Sequence, residues 1–226
     1  MSAHSDPISK DTDMTRIRMD LFTSLDGYVP SDPTPENPMG TGWSQLTAAW
    51  TATRTFRRNL GDSSGSGTTG MDDRYAAAFV DGIGAEIMGA GMFGFHAFPD
   101  DDSWTGWWGE RPPFGTPVYV LTHRAPRPSI VMDGGTTFHF RDTTVEEVLA
   151  EARQAAGDLD VRIGGGYGTA RDFLRAGLVD DLHLMVAPVF LGRGHRLWDE
   201  LAGFDAGYKI STEVAESGQI HITLTR

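Results

Sequence analysis

The sequence predicts an α/β domain built on a mixed, mostly parallel sheet with an antiparallel edge. Three observations lead there. Short apolar or period-two runs alternate with helix-period runs through the middle of the chain. Glycine-rich turns follow several of the strand-like runs. The C-terminus carries two runs joined by a turn signal, the pattern of a hairpin.

In order, RIRMDLFT (Arg16–Thr23) places Ile17, Met19 and Leu21 on one side and Arg16, Arg18 and Asp20 on the other, and SLDGY stops this strand with a turn. Residues 30–44 are rich in Pro, Gly, Asp and Ser and read as loop. QLTAAWTATRTFRRNL reads as one helix with Leu46, Ala49, Trp50 and Thr53 on a stripe, and 61–70 as a flexible excursion. A second helix is expected in MDDRYAAAFVDGIG, with Asp72 or Asp73 as N-cap and Tyr75, Phe79 and Val80 as its apolar face. AEIMGA is a short buried strand ending at Gly89. Residues 96–117 lack periodicity and carry three Trp. So long a loop points to function or disorder, and the Trp residues argue against disorder. PVYVLT and TTFHF are further strands. DTTVEEVLAEARQAAG is a helix with a capping box from Thr143 and Glu146 or from Thr144 and Glu147. Its buried stripe is Val145, Val148, Leu149 and Ala152, and Gly157 stops it. DVRI is a strand, TARDFLRAG a helix, DLHLMVAPVFL a long strand, and YKISTEVAESGQIHITLTR a hairpin turning at Ser217-Gly218.

Composition excludes several functions. The length suits one domain, 14–226, preceded by a polar stretch, 1–13, expected to be a disordered leader, with Met14 a candidate start. A net charge of -12 argues against nucleic acid, because phosphate backbones require a basic face. A local nest of N–H groups can still hold a small phosphorylated ligand. The absence of Cys removes disulfides and thiolate chemistry and fits a reducing cytoplasm. No apolar run is long enough to span a bilayer, so no membrane partner is expected. The seven His residues show no H-x-x-x-H spacing, and no metal is expected.

Gly164-Gly165-Gly166 lies between a strand and a helix. Its amides, with the helix's positive end, suit a pyrophosphate; alternatively, the glycines only permit a tight turn. No Gly-Lys-Ser/Thr follows, and Thr169 stands where G-x-G-x-x-G needs its last glycine. Two other strand ends bear on the choice. Gly89 and Gly91 follow one. Thr122, His123 and Arg124 follow another, with Arg127 close behind. Those three side chains either hold a phosphomonoester such as the 2′-phosphate of NADPH or, for the arginines, are ordinary solvated charges.

Taken together, TSLDGYV, EIMGAGMFG, PVYVLTHRAP, TTFHF, VRIGGG and LVDDLHLMVAPVFLGRGHRLW resemble the dihydrofolate-reductase-like superfamily, closest to the branch of the riboflavin-biosynthesis reductase C-terminal domain. The resemblance implies a three-layer fold with about eight central strands, and NADPH lying across the carboxyl edge. Its pyrophosphate would sit on Gly164, Gly165, Gly166, Tyr167, Gly168 and Thr169 and on Gly89, Ala90, Gly91 and Met92. Its 2′-phosphate would lie near Thr122, His123 and Arg124, and its nicotinamide near Ser24-Leu25-Asp26-Gly27. Hydride would pass to a small pterin-like or pyrimidine-like heterocycle, in a homodimer. Ala90 stands where relatives carry an Arg, which leaves NADH open as a cofactor. No acid in 41–59 matches the one that folate reductases use. A non-catalytic nucleotide-binding module and a flavin-binding protein are therefore the alternatives.

Asp26 is the candidate proton donor; its other reading is a cap for its own turn. Trp104, Trp107 and Trp108 are either an aromatic lid over a flat ring or a cluster burying the loop or a dimer contact. Trp43 and Trp50 are core or pocket wall, His183 is a sheet-face residue, and Arg193, in a loop that approaches the active site in relatives, is a candidate for a substrate anion.

Overall fold

The computed structural model describes residues 15–31, 33–34, 36–95, 98, 101–124 and 127–226, so the expected leader and Met14 lie outside it. In chain order its elements are β1 (Ile17–Ser24), β2 (Tyr28–Val29), α1 (Trp43–Leu46), α2 (Ala48–Thr51), α3 (Arg54–Asn59), α4 (Met71–Ala78), β3 (Ile83–Gly89), α5 (Ala90–Phe93), β4 (Pro117–Leu121), β5 (Ile130–Val131), β6 (Thr137–Arg141), α6 (Val145–Ala156), β7 (Asp160–Gly165), α7 (Tyr167–Arg175), β8 (Asp181–Ala187), β9 (His195–Arg196), β10 (Lys209–Val214) and β11 (Ile220–Thr225).

Nine strands form one sheet, ordered β10-β11-β8-β1-β7-β3-β4-β6-β5. The six from β8 to β6 run parallel; β11 and β10 at one edge and β5 at the other are antiparallel. Eight of the nine are the strands expected from the sequence. The ninth, β5, has two residues, too few to show a period. β2 and β9 pair as a separate ribbon.

Helices cover both faces. On one, α6 and α7 bury Val148, Leu149, Ala152, Ala170 and Phe173 against Ile17, Met19, Ile87, Val161 and Ile163. Each apolar side chain so buried contributes about 1.5–3 kcal/mol. On the other, α2 and α4 set Trp50 and Ala76 against Met185. Beyond them, the 93–114 segment packs Phe93, Phe95, Trp104 and Trp108 on Met88, Val118, Val120, Phe138 and Phe140. The capping box resolves to Thr144, whose side chain accepts from the Glu147 amide.

Four local expectations change. The single helix over 45–60 is three short ones, because Thr side chains divert its backbone. Thr47 and Thr53 hydroxyls donate to the carbonyls of Trp43 and Trp50, and Thr53 also caps α3 by accepting from the Phe56 amide. Neither Asp72 nor Asp73 caps α4; Gly70 precedes it without a side-chain cap. Asp73 instead accepts from the Thr55 amide, and Asp72 is buried. Val80, expected on the apolar face, is 40% exposed. The last long strand, β8, stops at Ala187, because Pro188 cannot donate to the ladder.

Candidate functional site

Because β8, β1, β7, β3 and β4 are parallel neighbours, their carboxyl ends share one edge. The turns singled out in the sequence therefore lie side by side: Leu25–Gly27 after β1, Gly164–Gly166 at β7, Gly89–Met92 at β3, and Thr122–Arg124 after β4. Three strand spacings of about 4.8 Å put roughly 14 Å between the first and last of these.

The glycine turns meet each other. Gly165 and Gly166 have φ of +117° and +84°, a region only glycine enters without strain. A Cβ on Gly166 would lie 3.4 Å from the Gly89 Cα, and one on Gly89 would run into Thr169 Oγ1. Gly164 is bare for a different reason: its Cβ would run into Glu86 Oε1 and lie 3.5 Å from Met92 Cε. Protein atoms therefore fill the face a Gly164 side chain would take. Gly168, the second residue of the helix, faces open space, and α7 starts without a side-chain cap. Its first N–H groups, with the positive end of the helix, suit an anion there.

Glu86 and Arg162 form a nearly fully buried ion pair behind this turn, Arg162 Nη2 to Glu86 Oε2 at 2.6 Å. Burial pushes the Glu86 carboxyl up from its ordinary range, against the pull of the guanidinium. Glu86 Oε1 has no hydrogen-bond partner. Sequence reasoning passed over the pair, although a signal was present. Strands buried on both faces, GAEIMG and DVRIGG, each carried a charge that must be matched.

Asp26 does not cap only its own turn. Its carboxylate accepts from the Ser24 hydroxyl at 2.5 Å, the Gly192 amide at 2.8 Å and the Leu191 amide at 3.1 Å, and so clasps the loop after β8 onto the exit of β1. Those donors, Ser24 foremost, hold its carboxyl below the usual carboxylate range. These bonds give the Asp26 carboxylate a structural part in holding the loop, beside the proton-donor role expected from the sequence. The β2–β9 ribbon fixes the same loop further on. His195 stacks on Tyr167, the first residue of α7, at 4.6 Å, and the Tyr167 hydroxyl donates to the Arg196 carbonyl. Arg193 lies exposed in this loop, and Leu25 is exposed beside it. Asp26→Ala is expected to free the loop. Limited proteolysis should then cut first at 190–194, with thermal unfolding of the core unchanged.

Thr122 is buried, and its hydroxyl accepts the Arg124 amide at 3.1 Å. Arg124 lies over the Phe95 ring at 5.8 Å. His123 is fully exposed, 3.5 Å from Asp142. Arg127 shares the Phe95 ring with Arg124, at 5.8 Å, and also reaches the Asp102 carbonyl and the Phe140 ring. Trp104 and Trp107 donate their indole N–H groups to the carbonyls of Phe93 and Met92, at 2.8 and 3.1 Å. Trp107 fills the space a Gly94 side chain would occupy, and Trp108 stacks on Phe138. They fasten α5 to the second core, as the cluster reading of the loop expects, and all three stay partly exposed. Trp43 is 37% exposed and meets Phe22 edge-on at 5.9 Å.

The model of the RibD C-terminal domain family matches residues 15–214. Among solved structures, the chain is similar to a candidate riboflavin biosynthesis protein from Shewanella sp. PV-4, at 20% identity and a TM-score of 0.58, over 94% of this chain and 99% of that one. It is also similar to the diaminohydroxyphosphoribosylaminopyrimidine deaminase/5-amino-6-(5-phosphoribosylamino)uracil reductase of Thermotoga maritima, at 13% identity and a TM-score of 0.53. That match covers 93% of this chain and 56% of the Thermotoga protein. No curated protein matches the sequence. With its strand order, glycine turns and C-terminal hairpin in place, the chain belongs to the RibD C-terminal domain family.

Proposed function

We propose that the protein is an NAD(P)H-dependent reductase of a small pterin-like or pyrimidine-like heterocycle. The observation that carries this reading is the alignment of four turns on one sheet edge, with an uncapped helix N-terminus facing open space at Gly168. The amides of Tyr167, Gly168 and Thr169 and the turn at Gly89–Met92 would hold the diphosphate. The Thr122–Arg124 turn would border the adenosine end and the Leu25–Gly27 turn the nicotinamide. A reduced nicotinamide supplies the hydride when bound. The chain's own part is to orient the two rings and to exclude water, and the clasped 189–196 loop lies where it would close the mouth. With Asp26 held ionised, the proton comes from solvent.

Two features bear on the choice of coenzyme. Ala90 supplies no charge, and Asp142 stands beside His123, where a 2′-phosphate would be repelled. NADPH is our first reading, with NADH in the same assay. A second reading, nucleotide binding without turnover, draws on the commitment of Asp26 to the Leu191 and Gly192 amides. We also propose a cytoplasmic homodimer; a monomer by light scattering would remove the dimer.

Titration of the purified protein with NADPH and NADH, followed by coenzyme fluorescence, is expected to give saturable binding. No binding of either at millimolar concentration would end the reductase reading. Coenzyme oxidation across pterins, flavins and deaminated pyrimidines then separates the enzyme from the binding module. A yellow protein on purification would point to a flavin.

A further inference from the structure

We propose that Asp20, His183, His221 and Asp72 form one proton-sharing chain that fastens α4 to the sheet only while it holds three protons, and so gives the fold a stability optimum in pH. The four residues come from β1, β8, β11 and α4. Asp20 Oδ1 lies 2.9 Å from His183 Nδ1. His183 Nε2 lies 3.0 Å from His221 Nδ1, and His221 Nε2 lies 2.9 Å from Asp72 Oδ1. The side chains are nearly buried, with His221 at 1% exposure and none above 11%. Tyr75 lies flat against both imidazoles, 4.4 Å from His183 and 4.1 Å from His221. The rings are joined end to end and do not converge on a point, and among the described residues no group of this kind is arranged to hold a metal ion.

Three contacts need three protons, one in each. Two neutral imidazoles between two carboxylates supply two, so one contact sets lone pair against lone pair. Two imidazolium rings supply four, so N–H faces N–H between His183 and His221. Only the three-proton state, with one positive charge shared between two carboxylates, satisfies every contact.

The surrounding charges are matched elsewhere. On α4, Arg74 and the Tyr75 hydroxyl both engage Glu213 of β10, at 2.8 and 2.6 Å. On β1, Arg18 donates to the Ala78 and Asp81 carbonyls and Arg16 to Asp181 of β8. Further along the face, Glu86 of β3 pairs with Arg162 of β7. Those pairings leave the three-proton chain with one imidazolium between two carboxylates, a net charge of one negative. A cavity of about 220 Å³ bordered by Arg18, Asp20, Tyr75 and His183 opens its Asp20 end to solvent protons.

Both flanks of the optimum have a defined sign. Burial pushes His221 down from the ordinary imidazole range, the nearby His183 adding to this and Asp72 opposing. The folded chain therefore refuses the second extra proton that the unfolded chain accepts below about pH 6.5, and stability falls as pH drops. Above that pH the unfolded chain has released both imidazole protons, whereas releasing the third proton from the folded chain would leave one contact without a proton, so stability falls again as pH rises.

The test is urea unfolding of the intact chain from pH 5 to 9. The folding constant is expected to change by up to tenfold per pH unit on each side of a maximum near pH 6.5. His183→Gln is expected to remove the fall above it. Should that variant not fold, imidazole nitrogen NMR of the wild-type protein at pH 6.5 decides. Of the two rings in contact with Tyr75, one should be doubly protonated and the other neutral, with its proton on Nε2 if it is His221 or on Nδ1 if it is His183. Two neutral rings, or a stability curve without the alkaline fall, would overturn the proposal.

Discussion

Arg162→Met is expected to cost about 3–5 kcal/mol of folding stability, the largest loss we foresee from one substitution outside the apolar core. The guanidinium is 3% exposed and Glu86 2%. Removing the cation leaves a carboxylate buried between β3 and β7 with no water to solvate it. Arg162 also lies over the Phe79 ring at 3.6 Å, so the end of α4 loses a contact as well. The deficit has a pH signature. Without its partner, Glu86 rises further above its unfolded value. A carboxyl raised on folding contributes stability below the unfolded pKa and loses it as pH climbs through the folded one. The variant should therefore be weakest at pH 7–8 and recover toward pH 5, as read from urea midpoints. Adding Glu86→Met should restore most of the loss, because an apolar pair of similar volume carries no desolvation penalty. A single variant as stable as wild type at pH 8 would contradict the buried pair.

Gly168→Leu is expected to leave the fold intact and weaken coenzyme binding at least a hundredfold, about 2.7 kcal/mol. The logic is the reverse of a core substitution. Gly168 sits on α7 with nothing within 4 Å of an added Cβ, and leucine favours a helix over glycine by up to about 1 kcal/mol. The melting temperature should hold or rise. A leucine there fills the space in front of the first α7 amides, where the diphosphate is proposed to lie. Unchanged NADPH and NADH titration curves would place the nucleotide elsewhere. Gly165→Ala is a poorer probe, because φ of +117° strains any side chain and confounds binding with stability.

Most of the architecture was legible because its signals are local. Alternation in Ile17–Leu21, the Thr144–Glu147 capping box and the Ser217-Gly218 turn each depend on neighbours within a few residues, and each appears where the sequence put it. The four turns at the carboxyl edge follow from the same local signals plus parallel pairing. The single helix over 45–60 was misread because hydrophobic spacing cannot register Thr hydroxyls that compete for backbone carbonyls.

The sequence by itself determined which segments are strands and helices, and that glycine-rich turns end the parallel strands, because periodicity and backbone freedom are properties of short stretches. Only the tertiary structure decided what covers the second face of the sheet. Alternation assigns Asp20 to the side opposite Met19 but does not say whether water or α4 lies there. Asp20 meets His183, and Asp72 meets His221, only when residues more than a hundred positions apart are folded together. The same holds for Trp107, whose indole N–H finds the Met92 carbonyl fifteen residues back in the chain. A buried polar group must take whatever partner the packing brings, and that partner is a property of the assembled chain.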